Sequence, residues 1–259
     1  MTTLDKLFRK KLGIPYDRLI TLENLDSIIE KAAQTIPFDN LSIIENRTND
    51  ITKENLIKKI INQSEGGLCY ELNAIFHHFL IENDFNSYLI RAMRYDDNSQ
   101  SWKTTLGKTH VTTLIYNNGR YYIIDIGFGG NSPLKVVPLN GETVTSANGE
   151  FKIESVNTEH GDSIFYMKLK NKDSNWKIGY AFDSQKPIRY LEELNDVQKI
   201  NVEHTESNFN KYPLVTKFTD QGMITLTNSS FTKTINGEIE KEKVDEVSFH
   251  EIKKHYFNH

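Results

Sequence analysis

The sequence predicts an α+β fold: a helical first third, an antiparallel β middle and a mixed final segment. Three observations carry this. Apolar residues recur at helical spacing through 3–85, the pattern switches after Phe85 to short β-rich runs separated by Asn, Gly, Asp and Ser, and no repeat, low-complexity tract or flexible linker interrupts the chain. At 259 residues the chain can bury a hydrophobic core without staples, so one compact unit is expected.

In the first third, Leu22, Leu25, Ile28, Ile29, Ala32 and Ala33 fall on one helical face. Thr21 and Thr52 each precede an acidic first turn and read as helix N-caps. Residues 63–83, QSEGGLCYELNAIFHHFLIEN, place two glycines ahead of the stripe Leu68, Leu72, Ile75 and Phe79, so a helix is expected to begin near Cys69. The runs NSYLIRAMRY, THVTTLIY, RYYIIDIGF, SIFYMKLKN and NWKIGYAFD read as antiparallel strands of a barrel or sandwich. After Pro187 the pattern gives a helix over 189–200, a hairpin from MITLTN to SFTKTI and a closing helix near Glu246 to Phe257. The mixed-sign run 238–246 reads as a solvated face.

Composition narrows the function. Lys and Arg number 31 against 35 Asp and Glu, a formal net charge of -4 that gives no bulk case for a nucleic-acid partner. The single cysteine excludes an internal disulfide and a Cys-only zinc site. Residues 1–12 lack the apolar core of a leader, and no run reaches the roughly 18 apolar residues of a membrane helix. The expectation is a soluble, cytoplasmic protein whose partner is a small molecule or another protein, with no nucleic acid and no membrane.

Cys69 follows Gly66, Gly67 and Leu68, and the glycines allow a close backbone approach that a side chain would block. At a helix start, unpaired N–H groups and the helix dipole favour a thiolate, the form in which cysteine is a nucleophile. A lone cysteine is more often a small buried hydrophobe, so the nucleophile needs a histidine and an orienting carboxylate to be credible. Of eight histidines, His110 opens a strand that leads through Asn117, Asn118 and Gly119 into RYYIIDIGF. A two-residue Asn118-Gly119 turn pairs Asn117 with Arg120, places Thr112 opposite Asp125 and His110 opposite Gly127, and so leaves His110 and Asp125 as diagonal neighbours on one face. A one-residue shift would separate them.

Other features carry less. Asn73, one turn after Cys69, reads as a hydrogen-bonding support. His77 and His78 point about 100° apart, cannot share a metal as an i, i+4 pair would, and read as surface residues. No HExxH, CxxC or GxxxxGK[ST] motif occurs, and no metal is expected. Backbone N–H groups of the loop at Gly129 and Gly130 suit a pyrophosphate, although Pro133 argues against a dinucleotide-binding turn. Tyr116 and Tyr121 should oppose each other across the hairpin.

At these residues the chain resembles the bacterial-type arylamine N-acetyltransferases. Their signature is an Arg-Gly-Gly-x-Cys-x-x-x-Asn run, then a histidine on one strand and an aspartate in an Asp-Val-Gly-Phe-Gly run on the next; the matching stretches are EGGLCYELN at 65–73, THVTTLIY at 109–116 and DIGFGG at 125–130. IPFDNLSI at 36–43 matches a fourth block. The resemblance implies a helical bundle carrying the nucleophile (1–85), a β-barrel carrying His and Asp (86–190) and an α/β lid (191–259), with a papain-like triad of Cys69, His110 and Asp125. It further implies acetyl transfer from acetyl-CoA to arylamines, arylhydrazines or arylhydroxylamines, with Phe38 and Phe128 lining the amine pocket and Thr109, Gly129 and Gly130 near coenzyme A. The family's arginine is replaced by Glu65 and its glutamate by Asp39: if that arginine pairs with the earlier carboxylate, two carboxylates face each other here, unless Glu65 has its own Lys or Arg partner elsewhere. A thiol-dependent hydrolase or amide synthase on the same triad, and a binding protein with a weakened nucleophile, remain the alternatives.

Overall fold

The computed structural model describes residues 3–257; the first two and last two positions, which fall within the expected first and third segments, lie outside the described residues. The chain begins with α1 (Thr3–Leu12) and α2 (Leu22–Thr35), followed by β1 (Phe38–Asp39), α3 (Leu41–Ile44), α4 (Lys53–Leu56) with a π-helical continuation over Ile57–Asn62, and α5 (Cys69–Ile81). Leu25, Ile28, Ile29, Ala32 and Ala33 are the buried face of α2, as their spacing requires. The Thr52 hydroxyl accepts from the Asn55 N–H at 3.1 Å, capping α4. Helix α5 begins at Cys69 and is buried around most of its circumference; Phe79 on it stacks on Phe8 of α1 at 4.8 Å between ring centroids.

A two-residue strand interrupts the helical first third at a point no sequence pattern marks. Phe38 and Asp39 of β1 pair with Thr216 and Val215 in the last quarter of the chain, and Phe38 also bridges to Gly67. Two residues are too few for an alternating pattern to register, and their partner is remote in sequence.

The middle of the chain supplies β2 (Asn86–Asp96), β3 (Ser101–Trp102), β4 (His110–Asn117), β5 (Arg120–Ile124), β6 (Val137–Pro138), β7 (Val144–Thr145), β8 (Gly149–Thr158), β9 (Gly161–Leu169) and β10 (Lys177–Pro187). They form one antiparallel sheet in the order β6, β5, β4, β2, β10, β9, β8, β7, with β3 on β2, curled into a nearly closed barrel. Ile90, Ala92, Leu114, Ile123, Phe165 and Phe182 fill its interior, while Leu89, Val111, Ile115 and Ile124 face α5. Strands β2 and β4 are thus covered on both sides, which is why HVTTLI reads as an unbroken buried run. The β4–β5 hairpin has the expected register: Asn117 pairs with Arg120, Tyr116 with Tyr121 and Thr113 with Ile124, around Asn118 and Gly119 at φ 48° and 82°.

The remainder forms α6 (Glu193–Glu203), β11 (Leu214–Thr219), β12 (Gly222–Thr227), β13 (Ser230–Ile235), β14 (Glu238–Lys243) and α7 (Glu246–Phe257). These strands and β1 make a second antiparallel sheet, ordered β1, β11, β12, β13, β14, under which Val215, Leu226, Phe231 and Phe257 are buried. Strand β14 is exposed throughout, the solvated face its charges suggest. Helix α6 starts later than position 189 because the Glu193 carboxylate accepts from the N–H groups of Arg189 and Tyr190 at 2.9 and 3.0 Å, holding that stretch as a turn. No described helix is long and apolar enough to cross a membrane.

Candidate active site

The segment entering α5 is held like a strand beside β1: the Asp39 N–H donates to Gly67 O at 3.0 Å and the Gly67 N–H to Pro37 O at 3.2 Å. A Cβ on residue 66 would fall 2.2 Å from Pro37 O, so glycine is needed for this approach. The next peptide is fixed by Glu71, whose carboxylate accepts from the Leu68 N–H at 3.0 Å and pairs with Lys59 at 2.5 Å. Cys69 then sits at the first turn of α5, buried, its thiol donating to the Thr109 carbonyl at 3.6 Å.

His110 begins β4 beside Thr109, and its Nε2–H donates to Asp125 Oδ2 at 2.7 Å. That leaves Nδ1 free of Asp125. The second carboxylate oxygen accepts from Asn73 Nδ2 at 2.9 Å and from the Gly127 N–H at 3.0 Å. Asn73 also donates to Val111 O at 2.9 Å and accepts from the Ile126 N–H at 3.1 Å, so one amide on the cysteine helix ties down both the strand that carries His110 and the segment after β5 that carries Asp125. Phe128 and Tyr180 pack on the imidazole at 4.8 and 4.7 Å. Burial alone favours the neutral ring; the Asp125 carboxylate and the Cys69 sulfur outweigh it and raise the His110 pKa to about 9. A Cβ on residue 127 would lie 2.6 Å from the Cys69 Cα, so the loop after Asp125 closes against the helix start only as glycine.

Around Cys69 lies a cleft of about 220 Å³, and of the residues expected to act in catalysis, hold the acceptor or lie near coenzyme A, Phe38, Thr109, His110, Phe128, Gly129 and Gly130 share its wall, while Asp125 stands behind His110. Thr109 contributes its carbonyl to the sulfur. Gly129 lies against the Phe38 ring, and Gly130 against Met223 of β12. Gly130 and Asn131 also border a second cavity of about 480 Å³ that reaches Asn148, Lys170 and Lys172. Sequence reasoning missed Arg94, Asn201, Phe209, Leu214 and Thr216, which complete the first cleft. Arg94 has a faint signal, a charge inside an apolar strand; Phe209, in a short turn of the final segment, has none.

Two expectations are corrected. Glu65 does not face Asp39: it turns outward to Arg47 at 3.2 Å, while Arg47 also binds Glu45 at 2.6 Å, and Asp39 accepts from the Leu41 N–H at 3.0 Å. The pairing raises the Arg47 pKa, chiefly through the hydrogen bond to Glu45. His77 and His78 are half-buried, not surface residues; His77 Nδ1 lies 2.8 Å from the Ser87 hydroxyl, and burial with the charge of His78 pulls its pKa to about 4. Among the described residues no group of three or more His, Cys, Asp or Glu is placed to hold a metal.

Comparison with known proteins is consistent along the whole chain. An N-acetyltransferase family model matches residues 21–259. The uncharacterized acetyltransferase YvcN of Bacillus subtilis is 33% identical over 243 residues, covering 93% of this chain and 92% of its own. Arylamine N-acetyltransferase C of Bacillus anthracis superposes with a TM-score of 0.93 at 37% identity, over 100% of this chain and 99% of that one. An arylamine N-acetyltransferase of Bacillus cereus, described as having a unique Cys-His-Glu catalytic triad, superposes with a TM-score of 0.92 at 36% identity over 98% of both chains. With its helix-start cysteine beside a strand-borne histidine and the aspartate that follows the next strand, and with these relatives spanning its length, the chain belongs to the arylamine N-acetyltransferase family of acyltransferases.

Proposed function

We propose that Cys69, His110 and Asp125 form the catalytic triad of a ping-pong acetyltransferase that carries acetyl from acetyl-CoA to arylamines, arylhydrazines or arylhydroxylamines. The observation that supports it most is the 2.7 Å His110–Asp125 hydrogen bond placed at the cleft that holds Cys69. Cys69 attacks as the thiolate, its proton having passed to His110 Nδ1. The sulfur adds to the acetyl carbonyl carbon, and collapse of the tetrahedral adduct breaks the bond to coenzyme A, whose sulfur leaves with the proton from the imidazolium. A ring with a pKa of about 9 is charged at neutral pH and ready to make that donation. The acceptor nitrogen then attacks the acetyl-Cys69 thioester, His110 takes the proton lost from nitrogen, and the thiolate is regenerated. Asp125 keeps Nε2 occupied and stabilises the imidazolium; in this chain the shorter carboxylate already reaches the ring.

In this reading Phe38 and Phe128 hold the acceptor ring, and Thr109, Gly129 and Gly130 lie along the coenzyme A arm, which would leave the cleft toward the cavity that Gly130 and Asn131 share with it. The division into 1–85, 86–190 and 191–259 and a cytoplasmic location belong to the same proposal. Initial rates with acetyl-CoA and an arylamine varied together test it: parallel double-reciprocal lines are expected, and converging lines would refute the acetyl-enzyme route.

A further inference from the structure

We propose that Arg94 is a specificity-determining residue of the acceptor side of the cleft, and that the acceptors it selects are one-ring aromatic amines or hydrazines bearing a carboxylate. The inference rests on the acetyl-transfer reading and goes further by naming the acceptor class. Arg94 lies on β2 and lines the cleft that holds Cys69, with its Cζ 5.5 Å from the centroid of Phe209, another wall residue. Among the described residues its guanidinium makes no ion pair and no hydrogen bond; the acidic residue two positions on, Asp96, is taken by Lys103 at 2.5 Å. Burial pulls the Arg94 pKa below its ordinary value, with Cys69 and Asp96 acting the other way. A half-buried guanidinium without an ionic partner is incompletely hydrated, and such a group on the wall of a cleft marks a place where a ligand supplies the opposite charge.

The surroundings define that ligand. Phe38 and Phe209 meet edge to face at 5.8 Å, and Phe128 stands over His110, so the walls offer aromatic contact beside one cation. A guanidinium lying over a ring keeps its planar fork of N–H groups free, the geometry that binds a carboxylate with two hydrogen bonds. About 220 Å³ falls short of the usual space for drug-sized ligands, roughly 300–1,000 Å³, and suits a single ring. A coenzyme A phosphate is the other source of an anion, but the pantetheine arm separates it from the sulfur that must reach Cys69.

The test compares 4-aminobenzoate with the uncharged 4-aminobenzamide in wild type, Arg94→Met and Arg94→Lys, alongside the acetylation half-reaction and the dissociation constants of benzoate and benzamide for the resting enzyme. In Arg94→Met the ratio of kcat/KM for the acid to that for the amide should fall about tenfold or more, with benzoate binding weakened to the level of benzamide. Arg94→Lys should restore part of the ratio, which separates lost charge from lost packing. An equal loss for both acceptors, or a slowed acetylation step, would overturn the proposal by assigning the guanidinium to Cys69 or to acetyl-CoA. Equal binding of benzoate and benzamide by wild type would overturn it as well. Benzoate binding that depends on Arg94 in a protein that transfers no acetyl group would uphold the anion site and sink the acetyl-transfer reading.

Discussion

Replacing Asn73 by alanine removes three buried hydrogen bonds at once: those to Asp125 Oδ1 and Val111 O, both 2.9 Å, and the one from the Ile126 N–H, 3.1 Å. Asn73 is fully buried, so water cannot replace the amide without entering the core. A buried polar group left unpaired costs about 1–3 kcal/mol, and Val111 O and Ile126 N–H are both orphaned. Asp125 keeps its contacts with His110 and Gly127 but loses one donor to its charge. The expected destabilisation is about 3–5 kcal/mol. At about 2–4 °C per kcal/mol for a chain near this size, the melting temperature should drop by about 6–20 °C. Thermal unfolding followed by circular dichroism reads the stability. The rate of Cys69 acetylation at a temperature where the variant is folded reads the second consequence, a His110–Asp125 pair no longer held against the cysteine helix. A variant that melts within 2 °C of wild type and is acetylated at the wild-type rate would refute the claim that Asn73 positions the dyad.

Glu65→Arg should lower the melting temperature slightly, because it breaks the pair with Arg47 and puts two guanidinium groups side by side; with Arg47 well exposed the effect stays within about 1 kcal/mol. Gly127→Ala drives a Cβ to 2.6 Å from the Cys69 backbone and should cost about 1–3 kcal/mol with a marked loss of Cys69 acetylation, seen by melting and by single-turnover kinetics. For pH, the His110 pKa is raised in the folded state to about 9 from 6.5, so its contribution, on the order of 3 kcal/mol, is present in full below about pH 6.5 and is lost as pH rises to 9. The stability gap between wild type and His110→Gln, measured by urea unfolding, should therefore narrow across that window; a constant gap would contradict the pairing.

Much of the site is legible in sequence because its signals are local. Gly66 and Gly67 ahead of an apolar stripe place Cys69 at a helix start, and the Asn118-Gly119 turn alone sets the register that brings His110 and Asp125 together. Asn73 is visible for the same reason, one turn along the same helix. What could not be read is set by distant pairing. Strand β1 is a strand because Val215 and Thr216 lie beside it, and the cleft wall formed by Phe209, Leu214 and Thr216 exists only once the final segment has docked. The Glu65 partner is hidden in a similar way: Arg47 lies in a loop with no periodicity to orient it, so nothing local shows that Glu65 forms an ion pair turned to solvent. Apolar spacing starts α6 four residues early because it does not register a carboxylate holding the preceding turn.

In the proposed mechanism Cys69 carries the acetyl group between two half-reactions. Intact mass spectrometry after incubation with acetyl-CoA and no acceptor tests it most directly. One acetyl group is expected, located on Cys69, discharged when an arylamine or arylhydrazine is added and absent in Cys69→Ser. A wild-type protein that gains no acetyl group, or holds one that no acceptor removes, would contradict it.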